Sequence, residues 1–120
     1  GHMAEWVALI DRYERQTGEK RGGLKKTLYQ GADAWRIPGD PFLPNQVMMN
    51  ARPAKASRRL WPQTELLRAA SILGQEADAA TIIVSLFETY FAGDKSGLWT
   101  DEFDAAGEPV PGPVPASILY

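Results

Sequence analysis

The stretch Glu76-Ala77-Asp78-Ala79-Ala80-Thr81-Ile82-Ile83-Val84-Ser85-Leu86-Phe87-Glu88-Thr89-Tyr90-Phe91-Ala92 is the strongest helix signal in the chain. Ala79, Ile83, Leu86 and Tyr90 recur on one face, and Ala80, Val84, Phe87 and Phe91 on the next, with Ile82 widening the apolar arc. An arc that broad predicts burial on more than one side. Upstream, Pro62 to Leu73 predicts a second helix, with Pro in its first turn, where the missing N–H costs nothing. Its apolar positions are Leu66, Leu67, Ala69, Ala70, Ile72 and Leu73, and Gly74 ends it. Ala4 to Gln16 predicts a further helix, with Trp6, Leu9, Ile10 and Tyr13 as its apolar stripe and Gly18 as its stop. Leu24 to about Trp35 is a weaker one, with Leu24, Leu28 and Gly31 or Ala32 on one face; Gly31 costs about 1 kcal/mol of helix propensity relative to Ala.

Between these segments the chain is irregular. Pro38, Pro41, Pro44 and Pro53 forbid a long helix through 38–58, where Gln46 to Asn50 predicts a short strand. Gly93 to Gly97 predicts a turn, Leu98 to Asp104 an extended segment, and Ala105 to Glu108 another turn. The alternating prolines of Pro109 to Pro115 favour an extended, polyproline-like course. Ser117 could cap a new helix at Ile118, and ending there reads as truncation. No segment sustains strand alternation, so the fold class is all-α: about four helices in hairpins, joined by long Pro-rich loops. Loops of that length tend to carry function.

Composition narrows the function classes. A chain of 120 residues makes one domain at most. A net charge of −2 argues against a nucleic-acid partner, because backbone binding needs clustered Lys and Arg. The clusters present, Lys20-Arg21, Lys25-Lys26 and Lys55 to Arg59, read as solvated loops. With no cysteine there is neither a disulfide framework nor a thiolate site. No apolar run reaches the length of a membrane span.

Two motifs carry more information. Arg59-Leu60-Trp61-Pro62-Gln63-Thr64-Glu65 is one, and Gly97-Leu98-Trp99-Thr100-Asp101-Glu102-Phe103-Asp104-Ala105-Ala106-Gly107-Glu108-Pro109 with Pro115-Ala116-Ser117-Ile118-Leu119-Tyr120 is the other. Together they resemble the C-terminal part of the N-acylglucosamine 2-epimerase family, which includes mannose isomerases and cellobiose epimerases. The resemblance runs from Glu5-Trp6 to Tyr120. It implies part of an α/α toroid, a fragment of an (α/α)6 barrel in which loops at one end build the active site. Residues 1–3 have two readings. Gly1-His2-Met3 looks like the scar of a cleaved tag, leaving 4–120 as the family segment. Gly1-His2-Met3-Ala4-Glu5-Trp6 also fits the family's Gly-His-x-x-Glu-Trp motif.

The chemistry so implied is epimerisation or aldose–ketose isomerisation of a free, open-chain sugar. A proton leaves the carbon next to the carbonyl, an enediol or enediolate forms, and the proton returns. This needs a base and an acid that work near neutrality, which histidine provides, and groups that stabilise the developing oxyanion. It requires no redox cofactor and no obligatory metal. The resemblance places one proton-transfer histidine at His2, if native, and the other directly after Ser-x-x-Tyr, beyond Tyr120. Glu5 would orient or tune His2; as a helical residue three positions on, it could equally be a first-turn carboxylate. Glu65 would bind sugar hydroxyls or simply sit in a first turn. Trp61 would stack on the sugar ring or pack in the core, and Gln63 is a further hydroxyl partner. Trp6 and Trp99 read as core or pocket wall, Met48-Met49 as loop packing, and Asp101 and Asp104 as structural rather than a glycosidase pair.

The expected function is therefore that of a cytoplasmic sugar isomerase fragment acting on mannose or a related free monosaccharide, inactive alone, without nucleic-acid or membrane partners. The alternative is a helical module that binds or self-associates as a homo-oligomer without catalysis.

Overall fold

The computed structural model describes residues 1–47, 53–93 and 99–112, with only the backbone for 53–55. Four α-helices dominate: α1 (His2–Thr17), α2 (Leu24–Asp33), α3 (Leu60–Ile72) and α4 (Glu76–Thr89). Each coincides with a predicted helix to within a few residues. Two short antiparallel ribbons join them. In the first, β1 (Gln46–Val47) pairs with β2 (Pro53–Lys55), Gln46 facing Lys55 and Val47 facing Pro53. In the second, β3 (Arg58–Arg59) pairs with β4 (Glu102–Phe103). The sequence signalled β1 and the extended run through β4, but not their partners. Pairs this short lack the alternating pattern that makes a strand readable. The expectations for Met48 to Arg52, Asp94 to Leu98 and Pro113 to Tyr120, including the Ser117 cap, lie outside the described residues.

Helix ends follow local chemistry. Gly18 terminates α1 at φ 75°, its N–H donating to the Glu14 carbonyl, and Gly74 turns at φ 65° just after α3. These left-handed conformations suit a residue without Cβ. Leu60, not Pro62, opens α3, because its N–H is taken by the Asp101 carbonyl at 2.8 Å.

Packing centres on α1 and α3. α1 lies against α2 and α3, and α3 carries α4 on its other side. The core is small residues on α1 and α3 (Ala4, Val7, Ala69, Ala70) closed by Tyr29, Phe42, Leu43, Leu66, Ile82, Leu86, Tyr90 and Phe103. Tyr90 is its pivot, edge-on to Phe42 at 5.3 Å and to Phe103 at 5.1 Å, with its hydroxyl donating to the Arg58 carbonyl. Burial pushes that hydroxyl's pKa up, so it stays a donor.

Two expectations about helix faces are overturned. Of the predicted α1 stripe, Ile10 is buried but Trp6, Leu9 and Tyr13 are exposed; the buried face is Ala4, Val7, Ala8, Ile10 and Glu14. On α4 only Ile82 and Leu86 are buried, while Ile83, Val84 and Phe87 are 42%, 54% and 64% exposed. Trp6 is correspondingly exposed, standing in the wall of the groove between α1 and α2 rather than in the core, whereas Trp99 packs on the core.

Polar clamps tie the helices together. Arg36 grips Asp78 of α4 with two bonds of 2.7 and 2.6 Å, and the Tyr29 hydroxyl donates to the same carboxylate. Lys25 of α2 bridges Asp11 and Glu14 of α1 at 2.9 and 2.8 Å, and both carboxyls are held below their usual range, first by that bond.

Candidate functional site

The start of α1 and the start of α3 come together at one end of the bundle. Gly1 makes this possible: a Cβ there would run into the Trp61 ring, so only glycine lets the indole lie against the helix entrance. His2 follows, its ring centroid 5.2 Å from that of Trp61 and tilted by 46°. Residues 1–3 are thus integrated in the packing, with Met3 lying against Gly31 of α2.

His2 and Glu5 share a helix face, as their spacing predicts. Nδ1 of His2 lies 3.1 Å from Oε2 of Glu5. A carboxylate can only accept, so Nδ1 is the donor in this contact, which fixes the neutral ring's tautomer with the lone pair on Nε2. Both side chains are open to solvent, His2 at 81% and Glu5 at 44%. An exposed pair like this contributes little to stability; its consequence is orientation of the imidazole.

A cavity of about 350 Å³ opens beside the pair, lined by Gly1, His2, Asn45, Gln46, Arg59, Trp61 and Pro62. A second, of about 140 Å³, adjoins it across Gly1, His2 and Asn45, with Met3, Ala32, Trp35, Leu43, Pro44 and Val47 as its apolar wall.

The far wall is built by buried amides. Gln63 is fully buried. Its Oε1 accepts from the Leu43 N–H at 2.7 Å, and its Nε2 donates to the carbonyls of Leu43 at 2.9 Å and Arg59 at 2.8 Å. The amide is fully used in stapling the 42–46 loop to the start of α3, beneath the cavity rather than in it. Asn45 extends the same work. Its Nδ2 donates to Ser57 Oγ and Glu102 Oε1, both at 2.9 Å, and its Oδ1 accepts from the Arg59 N–H. Arg59 in turn donates from Nε to Glu102 at 3.1 Å, while its backbone is held by the β3–β4 ribbon.

Glu65 lies one helical turn beyond Trp61 and does not line either cavity. Its side chain is 23% exposed and stands 3.7 Å from Arg68. Oε2 is shielded from solvent and has no hydrogen-bond partner among the described residues. Asp104 is structural, accepting from the N–H groups of Ala106 and Glu108 to shape the turn after β4. Asp101 faces Arg59 at 3.8 Å.

The structure therefore unites His2, Glu5 and Trp61, sets Gln63 underneath, and leaves Glu65 to one side. Asn45, Gln46 and Arg59 are lining residues that sequence reasoning missed. Arg59 stood at the edge of the quoted motif, but nothing local marked Asn45, whose place depends on partners 12 and 57 residues away.

The model of the N-acylglucosamine 2-epimerase family matches residues 1–120. A curated relative, the mannose-6-phosphate isomerase of Rhizobium meliloti (strain 1021), is 28% identical over 131 residues, covering all of this chain and 34% of the relative. The chain thus spans about a third of that protein's length. No solved structure matches. With the family model matched from the first residue to the last, the chain belongs to the N-acylglucosamine 2-epimerase family.

Proposed function

We propose that this chain supplies one half of a proton-transfer site for an open-chain aldose, of the mannose type, in a cytoplasmic sugar isomerase or epimerase. The observation that carries the proposal is the His2 imidazole, held at Nδ1 by Glu5, beside the indole of Trp61 and the 350 Å³ cavity. The match of the family model from residue 1 supports treating Gly1 to Met3 as part of the family segment and His2 as a native residue rather than a tag remnant.

In this reading Nε2 takes the proton from C2 of the sugar. The C2–H electron pair becomes the C1=C2 bond of an enediolate, and the carbonyl oxygen takes the negative charge. Passage of the O2 proton to O1 and return of a proton to C1 give the ketose; return of the proton to the opposite face of C2 gives the epimer. Glu5 stabilises the imidazolium that forms. Trp61 offers a flat apolar surface for the C–H face of the sugar. Asn45 and Arg59 stand where hydroxyls or a phosphate could be met, and the relative's name supports testing both mannose and its 6-phosphate. Gln63 acts through the wall it braces, as a positioning residue. Glu65, whose Oε2 stands 3.7 Å from Arg68, offers its carboxylate to hydroxyls reaching past Trp61.

The chain holds a single histidine, and the chemistry takes two proton-transfer groups on opposite faces. The 120 residues are therefore expected to bind sugar without turning it over. Titration of the isotope-labelled chain with D-mannose should shift the NMR signals of His2, Glu5, Asn45, Arg59 and Trp61 together, with no fructose formed. Shifts centred on other residues, or none at saturating sugar, would remove the site. Fructose production by the chain alone would refute the division between two histidines.

A further inference from the structure

Glu102 does not line the cavity, and its side chain is only 10% exposed, yet it holds two of the residues that do. The β3–β4 ribbon sets it directly opposite Arg59, and opposed residues of an antiparallel pair put their side chains on one face. Its Oε1 accepts from Asn45 Nδ2 at 2.9 Å and its Oε2 from Arg59 Nε at 3.1 Å. Its own carbonyl is anchored by the Val110 N–H at 2.9 Å.

The two lining residues depend on Glu102 unequally. Asn45 is also held through Nδ2 by Ser57 Oγ, through Oδ1 by the Arg59 N–H, and through its backbone N–H by the Ser57 carbonyl. For the Arg59 guanidinium, Glu102 supplies the one hydrogen bond among the described residues; Asp101 stands 3.8 Å from the same Nε. Arg59 is 45% exposed, and a long side chain that open has many rotamers to choose from unless something fixes it. The place of the hold matters. Engaging Nε leaves both terminal nitrogens unbonded among the described residues, and these form the fork that meets two oxygens side by side. Where an arginine serves as a clamp between helices, as Arg36 does on Asp78, the terminal nitrogens are the ones spent.

We infer that Glu102 is a positioning residue of the sugar site: it holds Arg59 by Nε so that the terminal N–H groups meet two neighbouring oxygens of the sugar. The inference rests on the binding of sugar in the His2–Trp61 cavity proposed above. Glutamine cannot take over the role. Glu102 accepts on both oxygens, whereas a glutamine in its place turns an NH2 group towards either Asn45 Nδ2 or Arg59 Nε, donor against donor.

Calorimetric titration with D-mannose tests the role as a double-mutant cycle. Glu102→Gln should weaken binding by about tenfold, and Arg59→Ala by at least as much. In the Arg59→Ala background Glu102→Gln should cost nothing more, because the group it acts through is gone. Arg59→Lys should bind as weakly as Arg59→Ala, since an ammonium keeps the charge without the fork. In the sugar-free chain the Arg59 Nε–H should exchange slowly with water by NMR, and faster in Glu102→Gln, with the His2 and Trp61 signals unmoved. Losses that add in the double variant would make Glu102 a brace of the wall and overturn the inference. So would undiminished binding in Glu102→Gln, or in Arg59→Ala, whatever the stability of Glu102→Gln. Trp61→Ala separates the two failures: mannose binding that is absent in the wild type or survives Trp61→Ala overturns the site and this role together, whereas binding lost in Trp61→Ala but intact in Glu102→Gln overturns the role alone.

Discussion

Gln63 shows how a residue can serve a site without touching what binds there. Buried with its amide fully paired, it ties the 42–46 loop to the head of α3 and so sets the far wall of the cavity. Gln63→Ala would strand the N–H and carbonyl of Leu43 in a dry interior. Leaving buried partners unsatisfied costs about 1–3 kcal/mol each, so a loss of about 3 kcal/mol in a urea denaturation series is expected. Glu65 has the opposite profile. Its shielded Oε2 has no hydrogen bond among the described residues and only the Arg68 guanidinium 3.7 Å away, so its desolvation is poorly compensated. Glu65→Gln should therefore leave stability unchanged or raise it by up to about 1 kcal/mol, while weakening mannose binding measured by calorimetry. A variant that loses stability and binds sugar as before would take Glu65 out of the site. The type of each residue was legible in the Trp-Pro-Gln-Thr-Glu run. Their directions were not, since helical spacing separates faces but does not say which neighbour each face meets.

At the scale of elements, the four helices were readable because periodicity and glycine stops are local signals. The choice of buried face was not. On α1 the larger apolar side chains suggested the core, yet, Ile10 apart, the helix turns its small residues inward, where close approach to α3 rewards Ala over Leu. The clamp between α2 and α4 was equally invisible, because Arg36 and Asp78 are 42 positions apart. The Arg36 guanidinium holds the Asp78 carboxyl below its usual range, helped by the Tyr29 hydroxyl. Because the folded pKa is depressed, the clamp's stability is fully present above the ordinary carboxylate value near ~4 and is lost as pH falls through the folded value. Asp78→Asn should cost about 2 kcal/mol at neutral pH, and its thermal stability should converge with the wild type's as the pH drops below about 4. A constant gap down to strongly acid pH would mean that the carboxylate's charge contributes nothing. Gly18→Ala tests the α1 stop: at φ 75° a Cβ is strained, and a loss of about 1 kcal/mol is expected by the same melts.

For the molecule as a whole, an all-α bundle with long irregular loops followed from the sequence, and the family resemblance carried the expected chemistry further than any spacing could. What the structure adds is assembly. It sets the first turn of one helix against the first turn of another, so that His2 and Trp61, 59 positions apart in the sequence, face one cavity. It also exposes Trp6, Leu9 and Tyr13 of α1 and Ile83, Val84 and Phe87 of α4, which sequence patterning placed on apolar faces. No helix among the described residues is long and apolar enough to cross a membrane. The central claim is that the His2–Trp61 cavity is where sugar binds. Saturation-transfer NMR with D-mannose tests it directly: irradiating the aromatic protons of the protein should pass saturation to the sugar C–H protons. The account predicts that this transfer disappears in Trp61→Ala and survives in Phe87→Glu, at an exposed position of α4. No transfer in the wild type, or transfer undiminished in Trp61→Ala, would contradict it.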